Sequence, residues 1–248
     1  MEALKSISVG QILERGAAQV PDKIAVVDGD LRKTYDELNR VTDALAAALA
    51  DIGLKKGDRA AIYMKNSFEF MVAFYALQKL GVIAVWINSM YRKTESEFIL
   101  NNSEAKAVFI FNESEGHDYL TDVLSTKKDS ATLEKIILVG DGKGLGVYSF
   151  YDLIAAGHHK KIIRPVIDIQ QDLAMLLYTS GTTGKPKGAM ITHYAAVRAG
   201  WEYSLGVRAS SEDIFIGFLP MGHSYGCGAI LIQPLLVQAP GVLRAGLE

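Results

Sequence analysis

The chain has 248 residues, 49% of them hydrophobic and 22% charged, so it can bury a sizeable core within one large or two ordinary domains. Its formal charge of −2 gives no basic field to attract nucleic acid, and any phosphate binding must therefore be local. A single cysteine excludes an intramolecular disulfide framework, and the first residues lack the apolar core of a signal peptide, so we expect a cytoplasmic protein.

The N-terminal part of the chain predicts a structural framework. A helix is expected over residues 9–18, and residues 24–34 carry two β-prone segments around an Asp-Gly-Asp turn, which favours a hairpin. Thr34 and Glu37 have the spacing of a capping box, in which each side chain satisfies an orphan amide of the other residue. Apolar residues at helical spacing then predict a helix that ends near Gly53.

The next stretch alternates strand and helix, which implies parallel strands joined by right-handed crossovers. Apolar runs predict strands at residues 60–64, 82–87, 107–111 and 135–139. Amphipathic patterns predict helices at residues 67–80, 94–100 and 119–124. Thr94 and Glu97 have the spacing of a second capping box, and Trp86 is expected in the core. The sequence therefore predicts an α/β fold with mostly parallel sheets.

Two further segments bear on domain organisation. The glycine cluster at residues 141–146 follows a strand, but its glycine spacing does not meet the dinucleotide-binding pattern, and we expect a surface turn. Residues 162–172 contain Pro165 and change from apolar to polar character. We expect a boundary there between two subdomains, residues 1–165 and 166–248.

The strongest chemical signal follows an apolar strand predicted at residues 174–178. Residues 179–188 combine hydroxyl residues, glycines and two lysines, a composition suited to a loop whose amides and cations hold phosphate. This segment does not match the common nucleotide-binding loop, because Lys185 is followed by Pro186 rather than by a hydroxyl residue. The alternative interpretation is an ordinary surface turn.

A helix is predicted after this segment. Thr192 can cap it, and it is expected to continue to about Ser204. Its inward face is expected to consist of Tyr194, Val197, Trp201 and Leu205. His193 falls in the first turn and is expected to be structural rather than catalytic.

The second chemical signal is a glycine-rich turn at residues 219–226, which has His223 near its centre and follows a buried strand predicted at 214–218. Ligands of open α/β sheets bind beyond the carboxyl ends of strands, so this turn and residues 179–188 are expected to share a crevice. We assign His223 to that site; a structural histidine is the alternative.

The run from Tyr178 to Gly188, Tyr-Thr-Ser-Gly-Thr-Thr-Gly-Lys-Pro-Lys-Gly, resembles the phosphate loop of the adenylate-forming enzymes. That family includes acyl-CoA synthetases, firefly luciferase and the adenylation domains of peptide synthetases. The Pro220-x-x-His223 segment is similar to a second motif of the family, although Gly222 stands where phenylalanine is common. The resemblance implies the N-terminal part of the adenylate-forming fold, with alternating strands and helices in two subdomains.

The resemblance also implies chemistry and site residues. The substrates would be a small carboxylic acid, ATP with Mg²⁺, and coenzyme A, which reacts with an acyl-adenylate intermediate. Phosphate-binding residues would be Thr179, Ser180, Gly181, Thr182, Thr183, Gly184, Lys185 and Lys187. Thr182 would also help to position magnesium, and Lys187 and His223 would act in catalysis. The carboxylic acid pocket would be lined by His223, Ser224, Tyr225 and Gly226.

The family's adenine, ribose and catalytic-lysine motifs have no counterpart in these 248 residues. We therefore expect an N-terminal fragment of a carboxylate–CoA ligase that is inactive alone. The alternatives are a non-catalytic phosphate-binding or interaction module and a peptide-synthetase adenylation domain. Residues 227–237 are apolar but, interrupted by Gln233 and Pro234, too short to span a bilayer. If uncovered, they would favour self-association.

Overall fold

The computed structural model describes residues 6–114, 116–140, 146–179 and 186–243. Its strands are β1 (Ile24–Asp28), β2 (Leu31–Thr34), β3 (Arg59–Tyr63), β4 (Ile83–Trp86), β5 (Ala107–Phe111), β6 (Glu113–Ser114), β7 (His117–Asp118), β8 (Lys135–Val139), β9 (Tyr148–Ser149), β10 (Leu173–Thr179), β11 (Lys187–Thr192), β12 (Phe215–Gly217) and β13 (Gly241–Leu243). Its α-helices are α1 (Val9–Gln19), α2 (Tyr35–Asp51), α3 (Phe68–Leu80), α4 (Lys93–Asn102), α5 (Tyr119–Asp129), α6 (Phe150–Gly157), α7 (His193–Gly206), α8 (Ser224–Gly226) and α9 (Gln233–Val237). A π-helical segment, Cys227–Ile232, joins α8 to α9.

The larger sheet has seven strands in the order β11-β10-β4-β3-β5-β8-β9. Every neighbouring pair in it is parallel except β10 and β11, which are antiparallel. Helices α3, α4 and α5 cross between β3, β4, β5 and β8, as the alternation in the sequence predicted. The predicted α/β fold class is therefore confirmed.

Alternate residues of each strand face opposite sides of the sheet, and both faces of its central strands β4, β3, β5 and β8 are buried. Ala60, Ile62, Trp86 and Phe109 belong to one apolar cluster, which α1, α2, α3 and α6 cover. The intervening residues belong to a second cluster, covered by α4 and α5. Trp86 is 1% exposed, which confirms its predicted place in the core.

The smaller sheet has four strands in the order β12-β13-β1-β2. Each sheet takes strands from both sides of residue 165, because β13 pairs with β1 and β10 pairs with β4. The division of the chain into units of 1–165 and 166–248 stays a prediction. None of the helices in the described ranges combines the length and apolarity needed to cross a bilayer.

Several local predictions are confirmed. The β1–β2 hairpin is antiparallel, and the Thr34–Glu37 capping box has both of its hydrogen bonds.

The second predicted capping box is wrong by two residues, because α4 begins at Lys93 and the Glu95 carboxylate accepts from the Arg92 amide at 3.2 Å. A glutamate in the first turn caps this helix without a hydroxyl partner. The glycine cluster at 141–146 lies, except for its last residue, outside the described residues.

The apolar surface differs from the sequence-based expectation. The strand predicted as buried at 214–218 is an edge strand with one exposed face, since Ile214 and Ile216 are more than 60% exposed and Phe218 is 44% exposed. Conversely, residues 227–237, expected to be uncovered, are largely buried, with Leu231 and Leu235 completely so. One part of the exposed apolar surface therefore lies on and beside β12, whereas residues 227–237 contribute little to it.

His193 ties the first helix to α7, in the structural role expected from the sequence. Its ring is 1% exposed, and Nδ1 accepts a hydrogen bond from the Val9 amide at 3.2 Å, one residue after the Ser8 cap of α1. Burial lowers the pKa of His193 from 6.5 to about 4, although the nearby Asp172 carboxylate acts in the opposite direction. The imidazole is therefore neutral at pH 7 and keeps its acceptor for Val9.

Lowering the pH is expected to weaken the fold through His193. The pKa is depressed in the folded state, so only the unfolded chain takes up this proton between pH 6.5 and 4. The free energy of unfolding should fall across that window by about 2–3 kcal/mol from this group. Urea unfolding at several pH values measures it. The His193→Asn variant keeps a hydrogen-bond acceptor but has no titrating ring, so its free energy of unfolding should depend less steeply on pH. An equal pH dependence in the variant and the wild type would refute this role of His193.

Candidate active site

Two of the predicted phosphate-site residues are brought together by β10 and β11. Thr179, the last residue of β10, is the direct cross-strand partner of Lys187, the first residue of β11. Both residues are exposed. The other predicted members of the site lie outside the described residues: Ser180, Gly181, Thr182, Thr183, Gly184 and Lys185. The hairpin thus fixes both ends of the glycine-rich segment opposite each other.

One face of this hairpin leads from an apolar cavity to those two residues. Met175, Leu177 and Thr179 share a face of β10, because alternate residues of a strand point to the same side. Their partners on β11 are Ile191, Ala189 and Lys187, which share that face. Met175, Leu177 and Ile191 line the cavity, so Thr179 and Lys187 continue its wall toward the glycine-rich segment.

The cavity has a volume of about 480 Å³, within the usual range for small-molecule sites. The hairpin face forms one wall, and α7 forms a second with Ala196, Ala199 and Gly200. The helix that runs from α8 through the π-helical segment to α9 closes the third side. Burial raises the pKa of the Cys227 thiol in this wall, which keeps it protonated and apolar.

The predicted inward face of α7 is confirmed at Val197, which is buried, and wrong at Leu205, which is 55% exposed. The buried residues of α7 are His193, Ala196, Val197, Gly200 and Ser204, and Trp201 packs, partly buried, against the core. A Cβ atom on Gly200 would come within 2.6 Å of the Ile232 side chain. Close packing against the π-helical segment therefore places small residues on the buried face of α7 beside Val197.

The turn that carries His223 is held at the carboxyl ends of β3 and β4. Asn66, which follows β3, donates to the Leu219 carbonyl at 2.8 Å and accepts from the Met221 amide at 2.7 Å. A Cβ atom on Gly222 would lie 3.4 Å from the Ile87 carbonyl oxygen, just after β4. Nothing in the sequence singled out Asn66, because one polar residue after a strand is a common feature.

The turn and the phosphate segment follow strands of different sheets. The turn follows β12 of the smaller sheet, whereas Thr179 ends β10 of the larger sheet. Packing against the ends of β3 and β4 nevertheless brings the turn to the same edge of the larger sheet. Ser224 and Tyr225 line the same cavity as Leu177, which lies two residues before Thr179 on β10. That the turn and the phosphate segment share a crevice stays a prediction.

The four residues predicted for the carboxylic acid pocket have different surroundings. Ser224 and Tyr225 line the cavity, and the Tyr225 hydroxyl is 3.1 Å from that of Tyr203 on α7. His223 is exposed beside them, with Nδ1 accepting from the Tyr225 amide at 3.4 Å. Gly226 is buried, and it shapes the turn.

Among residues 6–114, 116–140, 146–179 and 186–243, no three His, Cys, Asp or Glu side chains come together to hold a metal ion. Thr182, the residue predicted to help position magnesium, is outside them. A role for magnesium therefore rests on the sequence motif and on the nucleotide that the ion would accompany.

Comparisons with known proteins confirm the resemblance in the motifs. Residues 13–246 match the profile of the AMP-binding enzyme family. A medium/long-chain-fatty-acid–CoA/3-oxocholest-4-en-26-oate–CoA ligase of Mycobacterium tuberculosis is 32% identical over 215 residues, 84% of this chain and 38% of that protein. A medium-chain fatty-acid–CoA ligase of Escherichia coli is 29% identical over 241 residues, 95% of this chain and 42% of that protein.

A solved structure confirms the fold. The anthranilate CoA ligase AuaEII, crystallised in complex with anthranoyl-AMP, matches with a TM-score of 0.88 and 27% identity. The match covers 97% of this chain and 45% of that one. The chain thus spans less than half of the length of each of these three relatives.

Gly226 is expected to tolerate no side chain. A Cβ atom there would lie 2.0 Å from the Pro220 carbonyl oxygen, whereas one on Gly228 would meet no atom within 4 Å. Gly226→Ala should therefore lower the free energy of unfolding by about 2–3 kcal/mol through overpacking. Gly228→Ala, the matched control on the same helix, should change it by less than about 1 kcal/mol. Urea unfolding measures the change in both variants, and an equal loss of stability in the two would disprove the close contact of Gly226 with the Pro220 carbonyl.

Proposed function

Because the chain belongs to the AMP-binding enzyme family, we propose that it is the N-terminal part of an ATP-dependent carboxylate–CoA ligase. The observation that carries this proposal is the continuous hairpin face of β10 and β11. It starts in an apolar cavity and ends at Thr179 and Lys187, beside the glycine-rich segment. An acid seated in the cavity would thus present its carboxylate to a nucleotide phosphate.

The proposed reaction has two steps. A carboxylate oxygen attacks the α-phosphorus of ATP, the bond to the bridging oxygen breaks, and pyrophosphate leaves with that electron pair. The sulfur of coenzyme A then attacks the acyl carbon of the adenylate, AMP leaves with the electrons of the broken C–O bond, and the thiol proton passes to solvent. The first step needs mainly alignment of two anions and compensation of the charge that develops on pyrophosphate.

The residues of the glycine-rich segment are proposed to meet that need. Thr179 and Lys187 would contact the phosphates from the two ends of the hairpin, with Lys187 supplying positive charge. Residues 180–185 would add amides, hydroxyls and a second lysine. Magnesium, held by the phosphates and Thr182, would offset further charge when bound. The proposed cofactors and co-substrates are thus ATP, Mg²⁺ and coenzyme A.

The cavity is proposed as the acyl site. Ser224 and Tyr225 line it next to the exposed His223, whose imidazole would contact the carboxylate. Gly226 would belong to this site by shaping the turn. The apolar walls suit a hydrocarbon or aromatic acid, and they exclude water from the chain of the substrate. A single free and buried cysteine, Cys227, supports a reducing, cytoplasmic location.

Two alternatives remain within the proposal. An adenylation domain of a peptide synthetase would use the same first step with another thiol acceptor. A non-catalytic phosphate-binding or interaction module is favoured by the exposed apolar face of β12, where Ile214, Ile216 and Phe218 suit self-association.

The isolated 248-residue chain is expected to catalyse no ATP–pyrophosphate exchange with a panel of aromatic and C2–C16 acids. The reason is that the adenine, ribose and catalytic-lysine motifs of the family are missing from its sequence. If the chain alone catalyses exchange, the proposal that the isolated chain is inactive is wrong.

The alternative of an interaction module predicts self-association, which gel filtration at two concentrations measures. A strictly monomeric profile would count against this alternative.

Lys187 gives the most direct test of the phosphate site. In a complete ligase that contains this chain, Lys187→Ala should reduce the exchange rate roughly 10²-fold, the loss typical of removing one group that stabilises developing charge. Alanine at both Thr182 and Thr183 should act in the same direction. Lys160→Ala is the control, because it also removes a lysine charge, but from a residue that pairs with Asp51 at the end of α2 and does not belong to the proposed phosphate site. Unchanged exchange in the Lys187 variant would remove this residue from the mechanism.

A further inference from the structure

A single side chain after β3 holds the backbone of the His223 turn at two points. Asn66 Nδ2 donates to the Leu219 carbonyl at 2.8 Å, and Asn66 Oδ1 accepts from the Met221 amide at 2.7 Å. The carbonyl can only accept and the amide can only donate, so these partners determine the orientation of the asparagine side chain. We call this pair of hydrogen bonds the Asn66 clamp.

Asn66 is itself held in place, because the next residue begins α3. Ser67 caps that helix, and its hydroxyl accepts from the Phe70 amide at 3.1 Å. The Asp28 carboxylate, at the end of β1, accepts from the Phe68 amide at 2.8 Å. The clamp therefore extends from a fixed helix start, which lies after a strand of the larger sheet and is bound by a residue of the smaller sheet.

The clamp acts on the backbone just before His223. The His223 amide donates to the Pro220 carbonyl at 3.0 Å, so the turn closes between the clamped residues and the histidine. The imidazole is exposed, with Nδ1 accepting from the Tyr225 amide within the same turn. The course of this backbone, rather than packing around the ring, therefore determines where the imidazole lies.

Loss of the clamp would displace the turn. Met221 is completely buried, so water does not reach its amide in the present arrangement. A buried amide without an acceptor is unfavourable, and the backbone would shift until this amide meets water or another acceptor. Because only Gly222 lies between Met221 and His223, that shift would carry the imidazole with it.

We propose that Asn66 is a positioning residue, which acts through the turn to place the His223 imidazole against the carboxylate of the acid. This inference rests on the proposed function, in which His223 contacts that carboxylate. Asn66 would touch neither substrate. A displacement of about 1 Å at a reacting centre can reduce a rate roughly 10²-fold, so a remote clamp of this kind can determine the rate of adenylation.

Amide hydrogen exchange of the 248-residue chain tests the clamp without requiring turnover. In Asn66→Leu, which is similar in size but has no polar side-chain atom, the Met221 amide should exchange about five- to tenfold faster than in the wild type. Ser67→Ala is the matched control on the neighbouring residue, because it removes a cap of α3 and keeps the clamp. In that control the Phe70 amide should exchange faster and the Met221 amide should not. Unchanged exchange of Met221 in Asn66→Leu would overturn the proposal.

ATP–pyrophosphate exchange by a complete ligase that contains this chain tests the consequence for catalysis. Asn66→Leu should lower kcat roughly 10²-fold and leave the KM for ATP unchanged, because Thr179 and Lys187 lie on the hairpin. Ser67→Ala should keep the wild-type kcat. An unchanged kcat in Asn66→Leu, or an equal loss in Ser67→Ala, would overturn the positioning role and leave the proposed function standing. Absence of exchange by the wild-type ligase would overturn both.

The Asn66→Asp variant supplies a pH profile that a merely structural role would not change. A protonated carboxyl group can donate to the Leu219 carbonyl and accept from the Met221 amide, as the asparagine does. An ionised carboxylate can only accept, and it repels the carbonyl oxygen. The kcat of this variant relative to the wild type should therefore rise as the pH is lowered from about 8 to about 5.5. A constant ratio would overturn the role of the clamp, and this test remains decisive where Asn66→Leu fails to fold.

Discussion

The antiparallel pairing of β10 with β11 is the constraint on which the site depends. All other neighbouring pairs of the larger sheet are parallel, so their strands are joined through crossovers that leave the sheet. Among the described strands of this sheet, the chain reverses and returns beside itself at β10, with Thr179 opposite Lys187. This register fixes the two ends of the glycine-rich segment at the carboxyl edge of the sheet. It also places the cavity lining and the exposed residues Thr179 and Lys187 on one face.

Glycine and other small residues then determine how closely the helices approach that face. Gly200 allows α7 to approach Ile232 of the π-helical segment, and Gly226 allows the turn to fold back on the Pro220 carbonyl. The space between α7 and the hairpin is what remains open after this packing. Because its walls are apolar, the few polar groups that reach it decide what it can bind. Tyr203, Tyr225 and Gln233 are such groups.

Much of this arrangement follows from sequence patterns, and the rest depends on long-range packing. The strands at β3, β5 and β8 and the cap at Thr34 were predictable, because local periodicity and short-range hydrogen bonds determine them. The split into two sheets was not, since β1 pairs with β13 from the other end of the chain. The buried face of α7 was only partly predictable, because close helix contact buries Ala196, Gly200 and Ser204 beside Val197 and leaves Leu205 exposed. Asn66 and Gln233 had no local signal beyond being polar.

The central claim is that one hairpin face joins an acyl cavity to the phosphate segment. Intermolecular nuclear Overhauser effects between decanoic acid and a methyl-labelled 248-residue chain test this claim most directly. The account predicts contacts from the distal carbons to Ala196 and Ile191, and from the carbons next to the carboxylate to Leu177 and Thr179. Contacts confined to the exposed face of β12, at Ile214 and Ile216, would contradict it.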